Sequence, residues 1–142
     1  FAEEKIPSFT AANLEYLQDN GWTTVNNIVQ ELERNPTQTE ERKAANILEG
    51  NLKGFGPKQS RNLLQMLGLT KFEIPIDSRV RKWLIAAGIP MPFPEEALRK
   101  RNDYEFILDI VILPLSSTCG IYPCMLDAMI FASPNDSRKK NK

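Results

Sequence analysis

Two residues with reactive side chains, Lys58 and Asp77, lie 19 positions apart near the starts of two predicted helices. A lysine whose amine is neutral is a nucleophile, and it forms a Schiff base when it attacks a sugar carbon. A neighbouring carboxylate can take up the proton of the amine or stabilise positive charge on the sugar. We therefore expect lysine-based covalent chemistry if the fold brings these two side chains together.

The segment before Lys58, Leu52-Lys53-Gly54-Phe55-Gly56-Pro57, predicts a tight hairpin that opens into a helix. Glycine permits left-handed backbone and close approach, and proline is favoured at the first helical position. Backbone N–H groups and the positive end of a helix dipole then converge on one point, which is typical of an anion site. We expect a phosphate there, and the residues placed beside it are Gly54, Gly56, Lys58, Gln59 and Arg61.

Both reactive residues also have simpler interpretations. Lys58 would then be a phosphate contact alone, and Asp77 would be the N-cap of the next helix, a frequent role of Asp at that position. The glycines would allow two helices to pack closely at a corner.

The net charge is zero, but the charged residues are distributed unevenly. Residues 50–101 contain ten Lys or Arg and four Asp or Glu, whereas residues 1–49 contain four and nine. Positive charge therefore surrounds the hairpin, and local rather than total charge attracts a phosphate backbone.

Composition excludes several classes of protein. The sequence has no histidine, which excludes zinc hydrolysis and histidine-based catalytic triads. Cys119 and Cys124 are too few for a disulfide framework or a four-thiolate iron–sulfur cluster, so we expect two buried or half-buried free thiols in a reducing compartment. No apolar run approaches the roughly 18 residues of a membrane span, and no signal peptide is expected. We expect the cytoplasm or nucleoid, or the nucleus in a eukaryote, and the missing initiator Met suggests a piece of a longer protein.

Apolar residues recur at helical spacing almost throughout, which predicts an all-α helical bundle. We expect one domain over residues 1–134, a hairpin at 51–58, an extended connector at 69–76 and a disordered basic tail at 135–142. Helices should break at Asn20-Gly21, at Asn35-Pro36 and at Pro114, with a third helix starting at Thr39 and a loop at 116–118. Apolar side chains expected to face inward include Leu67, Phe106, Ile110, Met129 and Phe131.

The hairpin and the later segment Ile74-Pro75-Ile76-Asp77-Ser78-Arg79-Val80 together resemble the helix-hairpin-helix DNA glycosylase superfamily. There, a Leu-x-Gly-hydrophobic-Gly-x-Lys hairpin precedes a hydrophobic-Pro-hydrophobic-Asp-x-His segment. The spacing of the lysine is most similar to the 8-oxoguanine DNA glycosylase/AP lyase branch. The resemblance is strong over about residues 42–84, and residues 126–131 are loosely similar to a final helix of prokaryotic members.

This resemblance implies a glycosylase-like bundle that removes a damaged base, with an oxidised purine among the candidates, and cleaves the abasic strand without a metal. Lys58 would be the nucleophile and Asp77 would assist it. The implied partner is double-stranded DNA containing a damaged base or an abasic site, bound by a monomer. Arg79 replaces the histidine of the family and would still contact phosphate, with a permanent charge.

The resemblance also bears on cofactors. The backbone carbonyls of Gly50, Leu52 and Phe55 would hold a structural Na⁺ or K⁺, and no other cofactor is implied. The four-cysteine cluster loop of some branches is absent, so no iron–sulfur cluster is expected. Candidate residues for reading the base are Trp83, Asp127 and Phe131.

Two other functions remain open from the sequence. Gly-hydrophobic-Gly-Pro-Lys also occurs in noncatalytic helix-hairpin-helix modules of repair or recombination proteins, in which the lysine only contacts DNA. A helical protein-interaction domain is the second alternative. Only three helices are predicted before the hairpin, fewer than in the glycosylases, but Asp77 behind Ile-Pro-Ile favours the enzyme.

Overall fold

A computed structural model describes residues 2–133, and within that range the chain forms helices and no strands, which confirms the all-α prediction. The tail predicted at 135–142 lies outside the described residues. A 3₁₀-helix spans Glu95–Arg99, and π-helical turns at Leu17–Gly21 and Leu108–Ile112 join consecutive α-helices. The α-helices are α1 (Ala2–Tyr16), α2 (Trp22–Leu32), α3 (Gln38–Asn51), α4 (Pro57–Met66), α5 (Ser78–Ala86), α6 (Arg101–Ile107), α7 (Leu113–Thr118) and α8 (Pro123–Ala132).

Buried apolar side chains form two clusters, one in each half of the chain. The N-terminal core lies between α2, α3 and α4 and consists of Ile28, Leu32, Ala44, Ala45, Leu48, Leu52, Leu64 and Leu69. The C-terminal core gathers α5 to α8 and the connector, and consists of Ile74, Ile76, Val80, Leu84, Leu98, Tyr104, Ile107, Leu108, Val111, Ile112, Leu126 and Ile130. The prediction of one domain over residues 1–134 stays a prediction, although polar contacts join the two cores.

Local signals explain most helix boundaries. Asn35, with a φ of +62°, lies in the predicted break at Asn35-Pro36. The third helix starts at Gln38, one residue before the predicted Thr39. Thr37 and Glu40 form a capping box, in which each side chain accepts a hydrogen bond from the other residue's backbone N–H. Gly68, with a φ of +72°, follows α4 in the left-handed conformation that commonly ends a helix.

Two predicted breaks are wrong, because the helix continues through both sites. Gly21 has a helical φ of −62°, and a Cβ there would lie 2.7 Å from the Tyr16 ring, so this glycine allows close packing. Pro114 lies in the first turn of α7, directly after the π-helical turn Leu108–Ile112. A wider turn of this kind accommodates a proline that would otherwise clash with the preceding turn. The loop predicted at 116–118 is therefore helical.

Five side chains predicted to face inward are instead exposed. The π-helical turn changes the phase of the helix, so that Ile107, Leu108, Val111 and Ile112 become the buried face. Helix α8 is apolar on most sides, and its sequence does not indicate which face is inward. The exposed fractions lie between 44% and 72% for Leu67, Phe106, Ile110, Met129 and Phe131.

An ion pair between Arg61 and Glu73, both fully buried, connects α4 to the connector. Arg61 Nε donates to Glu73 Oε2 at 2.7 Å, and Arg61 Nη1 donates to the Pro57 carbonyl at 3.1 Å. The guanidinium also lies 4.8 Å from the centre of the Tyr104 ring. Arg42 of α3 donates to the second Glu73 oxygen at 2.9 Å and to Asp109, whose carboxyl pKa it holds below the usual value.

The connector is extended, as predicted, and buried side chains bind its backbone. The Glu41 carboxylate accepts hydrogen bonds of 2.7–2.9 Å from three consecutive backbone N–H groups, at positions 71–73. The Tyr104 hydroxyl donates to the Ile74 carbonyl and accepts from the Ile76 N–H. Asp77, which follows directly, therefore begins α5 from a fixed position.

Both cysteines are free thiols, as predicted, and Cys124 is half-buried. The predicted burial is wrong for Cys119, which is exposed. No single helix within residues 2–133 is long and apolar enough to cross a membrane. The segments 101–118 and 123–132 reach that length and composition only as a pair bent by 81°.

We expect Glu73→Gln to lower the free energy of unfolding by about 3–5 kcal/mol, because it leaves the buried Arg61 charge without its hydrogen-bonded counter-ion and with only Glu105 nearby, at 3.6 Å. Glu49→Gln is the matched control, since Glu49 forms a more exposed ion pair with Arg101 at 3.3 Å and its loss should change stability by less than about 1 kcal/mol. Urea unfolding of both variants measures the difference. Equal losses in the two variants would contradict a structural role for the buried pair.

Candidate functional site

The structure brings Lys58 and Asp77 to the same cleft, which has a volume of about 760 Å³. One wall is formed by the hairpin and the first turn of α4, including Lys58 and Gln59. Another is formed by the start of α5, with Asp77 and Arg81. The 3₁₀-helix Glu95–Arg99 completes the lining, so three segments distant in sequence meet around one opening.

The hairpin has one glycine that the backbone requires and one that it does not. Gly54 has a φ of +81°, and a Cβ there would lie 2.9 Å from the Phe9 ring. Gly56 is extended, with a φ of −93°, and a Cβ there would meet nothing within 4 Å. The backbone at Gly56 is therefore open to a ligand in the cleft.

Helix α1 holds the hairpin from the other side. Asn13 accepts a hydrogen bond from the Lys53 N–H at 2.7 Å and donates to the Lys53 carbonyl at 3.0 Å. These two bonds occupy the backbone of Lys53 and leave its side chain exposed. The hairpin is therefore anchored before it reaches the cleft.

Lys58 and Gln59 lie in the first turn of α4, directly after Pro57 at its first position. Both side chains are exposed, and within the described part of the chain neither has a hydrogen bond or an ion pair. The Lys58 amine is therefore accessible to a ligand in the cleft.

Asp77 is the N-cap of α5, so the simpler interpretation of this residue is confirmed as one of its roles. Its Oδ1 accepts from the N–H groups of Arg79 and Val80 at 2.8 and 3.0 Å, and its Oδ2 lies 2.6 Å from Arg79 Nη2. Partial burial raises the pKa of Asp77, but these hydrogen bonds and the Arg79 charge outweigh it and hold the pKa below the usual value. The carboxylate is therefore ionised and fixed in orientation.

The two arginines expected at the phosphate differ in position. The expectation for Arg61 is wrong, because its side chain is fully buried and bound to Glu73, where no phosphate can reach it. Arg79 remains at the surface with its side chain 42% exposed, paired with Asp77 and lying 4.6 Å from the centre of the Phe131 ring. Arg79 thus keeps access to solvent, but it is not among the described residues that line the cleft.

Of the three candidates for reading a base, none is among the described residues that line the cleft. Trp83 packs against the C-terminal core, and Phe131 is exposed beside Arg79. Asp127 is buried, accepts from Gln65 Nε2 at 2.6 Å and has an Oδ1 without a hydrogen-bond partner. Burial raises the pKa of Asp127 above its usual value, although the Gln65 hydrogen bond opposes the shift.

In residues 2–133, no group of three or more His, Cys, Asp or Glu side chains could hold a metal ion. A monovalent cation would instead be bound by the carbonyls of Gly50, Leu52 and Phe55, at the junction of α3 and the hairpin. The Leu52 carbonyl accepts a long hydrogen bond of 3.3 Å from the Phe55 N–H, which leaves it a lone pair for such an ion. The Na⁺ or K⁺ site stays a prediction.

Comparison of the sequence and structure with protein-family models, curated proteins and solved structures gave no match. The function therefore has to be argued from the cleft itself.

Sequence reasoning missed four charged residues that line the cleft: Arg81, Glu95, Glu96 and Arg99. Arg81 lies one helical turn beyond the Asp77 cap, so helical periodicity offered a signal for it. The other three follow the proline-rich loop at 90–94, whose path depends on packing rather than on local sequence.

We expect Gly56→Ala to weaken binding of a short DNA duplex while changing the free energy of unfolding by less than about 1 kcal/mol, because the new methyl group enters open space beside the hairpin N–H groups. Gly54→Ala should instead lower stability by at least about 1–2 kcal/mol, because of its positive φ. Thermal unfolding and fluorescence anisotropy separate the two effects. Unchanged affinity in Gly56→Ala would argue against an anion site at this hairpin.

Asp127→Asn is expected to raise stability at neutral pH by about 1 kcal/mol, because a neutral amide avoids burying an ionised carboxylate with an unpartnered oxygen. The pKa of Asp127 is raised in the folded state, so the carboxyl is protonated at low pH and ionisation destabilises the fold as the pH rises. The gain should therefore shrink as the pH falls through that pKa. Melting temperatures measured across acidic and neutral pH test this, and a loss of stability at neutral pH would contradict it.

Proposed function

We propose that this chain is a DNA repair glycosylase with AP lyase activity, which removes a damaged base and cleaves the abasic strand through a Schiff base on Lys58. The observation that carries the proposal is the shared cleft, in which the accessible Lys58 amine and the ionised Asp77 carboxylate line the same opening as the hairpin. We further propose that α3, the hairpin and α4 constitute a helix-hairpin-helix motif of the glycosylase type.

The proposed reaction needs no metal. The target nucleotide leaves the stack, because its sugar carbon is inaccessible inside a duplex. The neutral Lys58 amine attacks C1′, and the glycosidic bond breaks so that its electron pair and a proton leave with the base. Breaking of the C1′–O4′ bond turns the C1′–N linkage into an iminium, which is the Schiff base, while O4′ takes a proton from water. Water then removes a C2′ proton, the electron pair of that C–H bond expels the 3′ phosphate, and a further water hydrolyses the imine to release the free lysine.

The environment of Asp77 supports one of its two possible roles over the other. A general base works best when its pKa lies near the working pH, whereas the pKa of Asp77 lies below even its usual value. An ionised, oriented carboxylate is instead suited to stabilising positive charge as it develops on the sugar. We therefore propose that Asp77 acts mainly by electrostatic stabilisation.

The alternative is a noncatalytic DNA-binding module, and one observation favours it. Both oxygens of Asp77 already have partners in the cap and in the Arg79 ion pair, which would account for the residue without chemistry. Lys58 would then contact a phosphate only. In both cases the proposed partner is duplex DNA, bound by a monomer in the cytoplasm or nucleoid, or in a eukaryotic nucleus.

Borohydride trapping on a duplex with an abasic site tests the catalytic role of Lys58. We expect a covalent adduct with the unsubstituted chain and none with Lys58→Ala, because only a Schiff base to that amine can be reduced to a stable bond. Lys53→Ala is the matched control, since its side chain is exposed on the same hairpin but does not line the cleft.

Asp77→Asn should slow adduct formation by about 100-fold or more, because it removes the charge that stabilises the developing cation. Binding of duplex DNA without any adduct would support the noncatalytic module instead. An adduct that survives in Lys58→Ala would assign the nucleophile to another lysine.

A further inference from the structure

Arg81 is a further cation that lines the cleft, and within residues 2–133 no acidic side chain forms an ion pair with it. It lies half-buried on the first turns of α5, and its backbone N–H donates to the Asp77 carbonyl at 3.0 Å. Its side-chain Nε is buried and has no hydrogen-bond partner, and no ion pair engages the guanidinium within the described residues. Because Nε is closed off from the cleft, the two Nη groups, which have no ion-pair partner, are the atoms of Arg81 that can meet a ligand.

The shape of the side chain indicates which ligand fits. The end of a guanidinium presents one N–H from each of its two Nη groups in parallel, and this edge matches two oxygens of one phosphate. Arg81 faces the same cleft as Lys58 and the open backbone at Gly56. We propose that Arg81 binds a second backbone phosphate of the DNA strand held by the hairpin. The inference rests on the proposed DNA-binding function and extends it.

Other charged side chains also line the cleft and affect where a phosphate can approach. The Asp77 carboxylate also lines the cleft, and it is paired with Arg79 at 2.6 Å. Glu95 and Glu96 are exposed at the 3₁₀-helix, beside the cation Arg99. Their carboxylates would repel a phosphate that approached that wall, which leaves the side with Arg81 and Lys58 as the favourable path for a strand.

The test compares Arg81→Gln with Lys82→Gln, which removes the same charge from the next residue, outside the cleft lining. Affinity for a short duplex with an uncleavable abasic-site analogue is measured by anisotropy between about 50 and 200 mM salt. Losing one phosphate contact should reduce the slope of log K against log salt by about 0.9 in Arg81→Gln. The slope should stay unchanged in Lys82→Gln.

The variant Arg81→Lys tests whether the paired donors of the guanidinium are needed as well as its charge. It retains the charge but not the two parallel donors, so the slope should return while the affinity stays below that of the unsubstituted chain. Thermal unfolding shows that each variant is folded. If the two glutamine variants have equal slopes while the unsubstituted chain binds DNA normally, the phosphate contact of Arg81 is overturned but the proposed function is not. No salt-dependent binding by the unsubstituted chain would overturn the proposed function as well.

Discussion

The arrangement of the cleft depends on the buried ion pair between Arg61 and Glu73. Arg61 reaches back to the Pro57 carbonyl, one residue before Lys58, and Glu73 lies four residues before Asp77. The pair therefore joins the two walls of the cleft through short and rigid lengths of chain. Burying two charges is unfavourable unless their geometry is good and their other atoms are satisfied. Arg42 donates to the second Glu73 oxygen and the Tyr104 ring lies beside the guanidinium, whereas Arg61 Nη2 has no hydrogen-bond partner and lies 3.6 Å from Glu105.

A second constraint acts on Asp77, which serves a structural and a candidate chemical role with the same atoms. Capping α5 fixes the direction of the carboxylate, and the Arg79 contact keeps it charged. A side chain held in this way is preorganised, because it need not reorient when charge develops beside it. The cap and the proposed chemistry are thus compatible, because both use the same fixed orientation of the carboxylate.

Local features of the fold could be predicted from the sequence, whereas long-range ones could not. The hairpin, the connector and the cap at Asp77 follow from glycine, proline and aspartate signals within a few residues. Arg61 carries the same local signals as a surface arginine, and only its long-range pairing with Glu73 shows that it is buried. The cleft wall at 95–99 has no signal near Lys58, because packing of the C-terminal core decides where that segment lies. The predicted breaks at Gly21 and Pro114 are wrong for different reasons. Gly21 allows close packing against Tyr16, and the π-helical turn before Pro114 accommodates the proline; tertiary structure selects both arrangements.

The π-helical turn at Leu108–Ile112 has a consequence for how this chain can vary. One extra residue in a helix rotates all that follows by about 100° relative to a regular α-helix. Asp109 lies inside this turn and binds Arg42, whereas Ser116 and the residues leading to α8 lie beyond it. Removing one residue here would restore an ordinary helix without breaking it, yet would turn the whole following segment to a different neighbour. The turn is therefore a place where a single insertion or deletion can redirect α7 and α8 while the local helix survives.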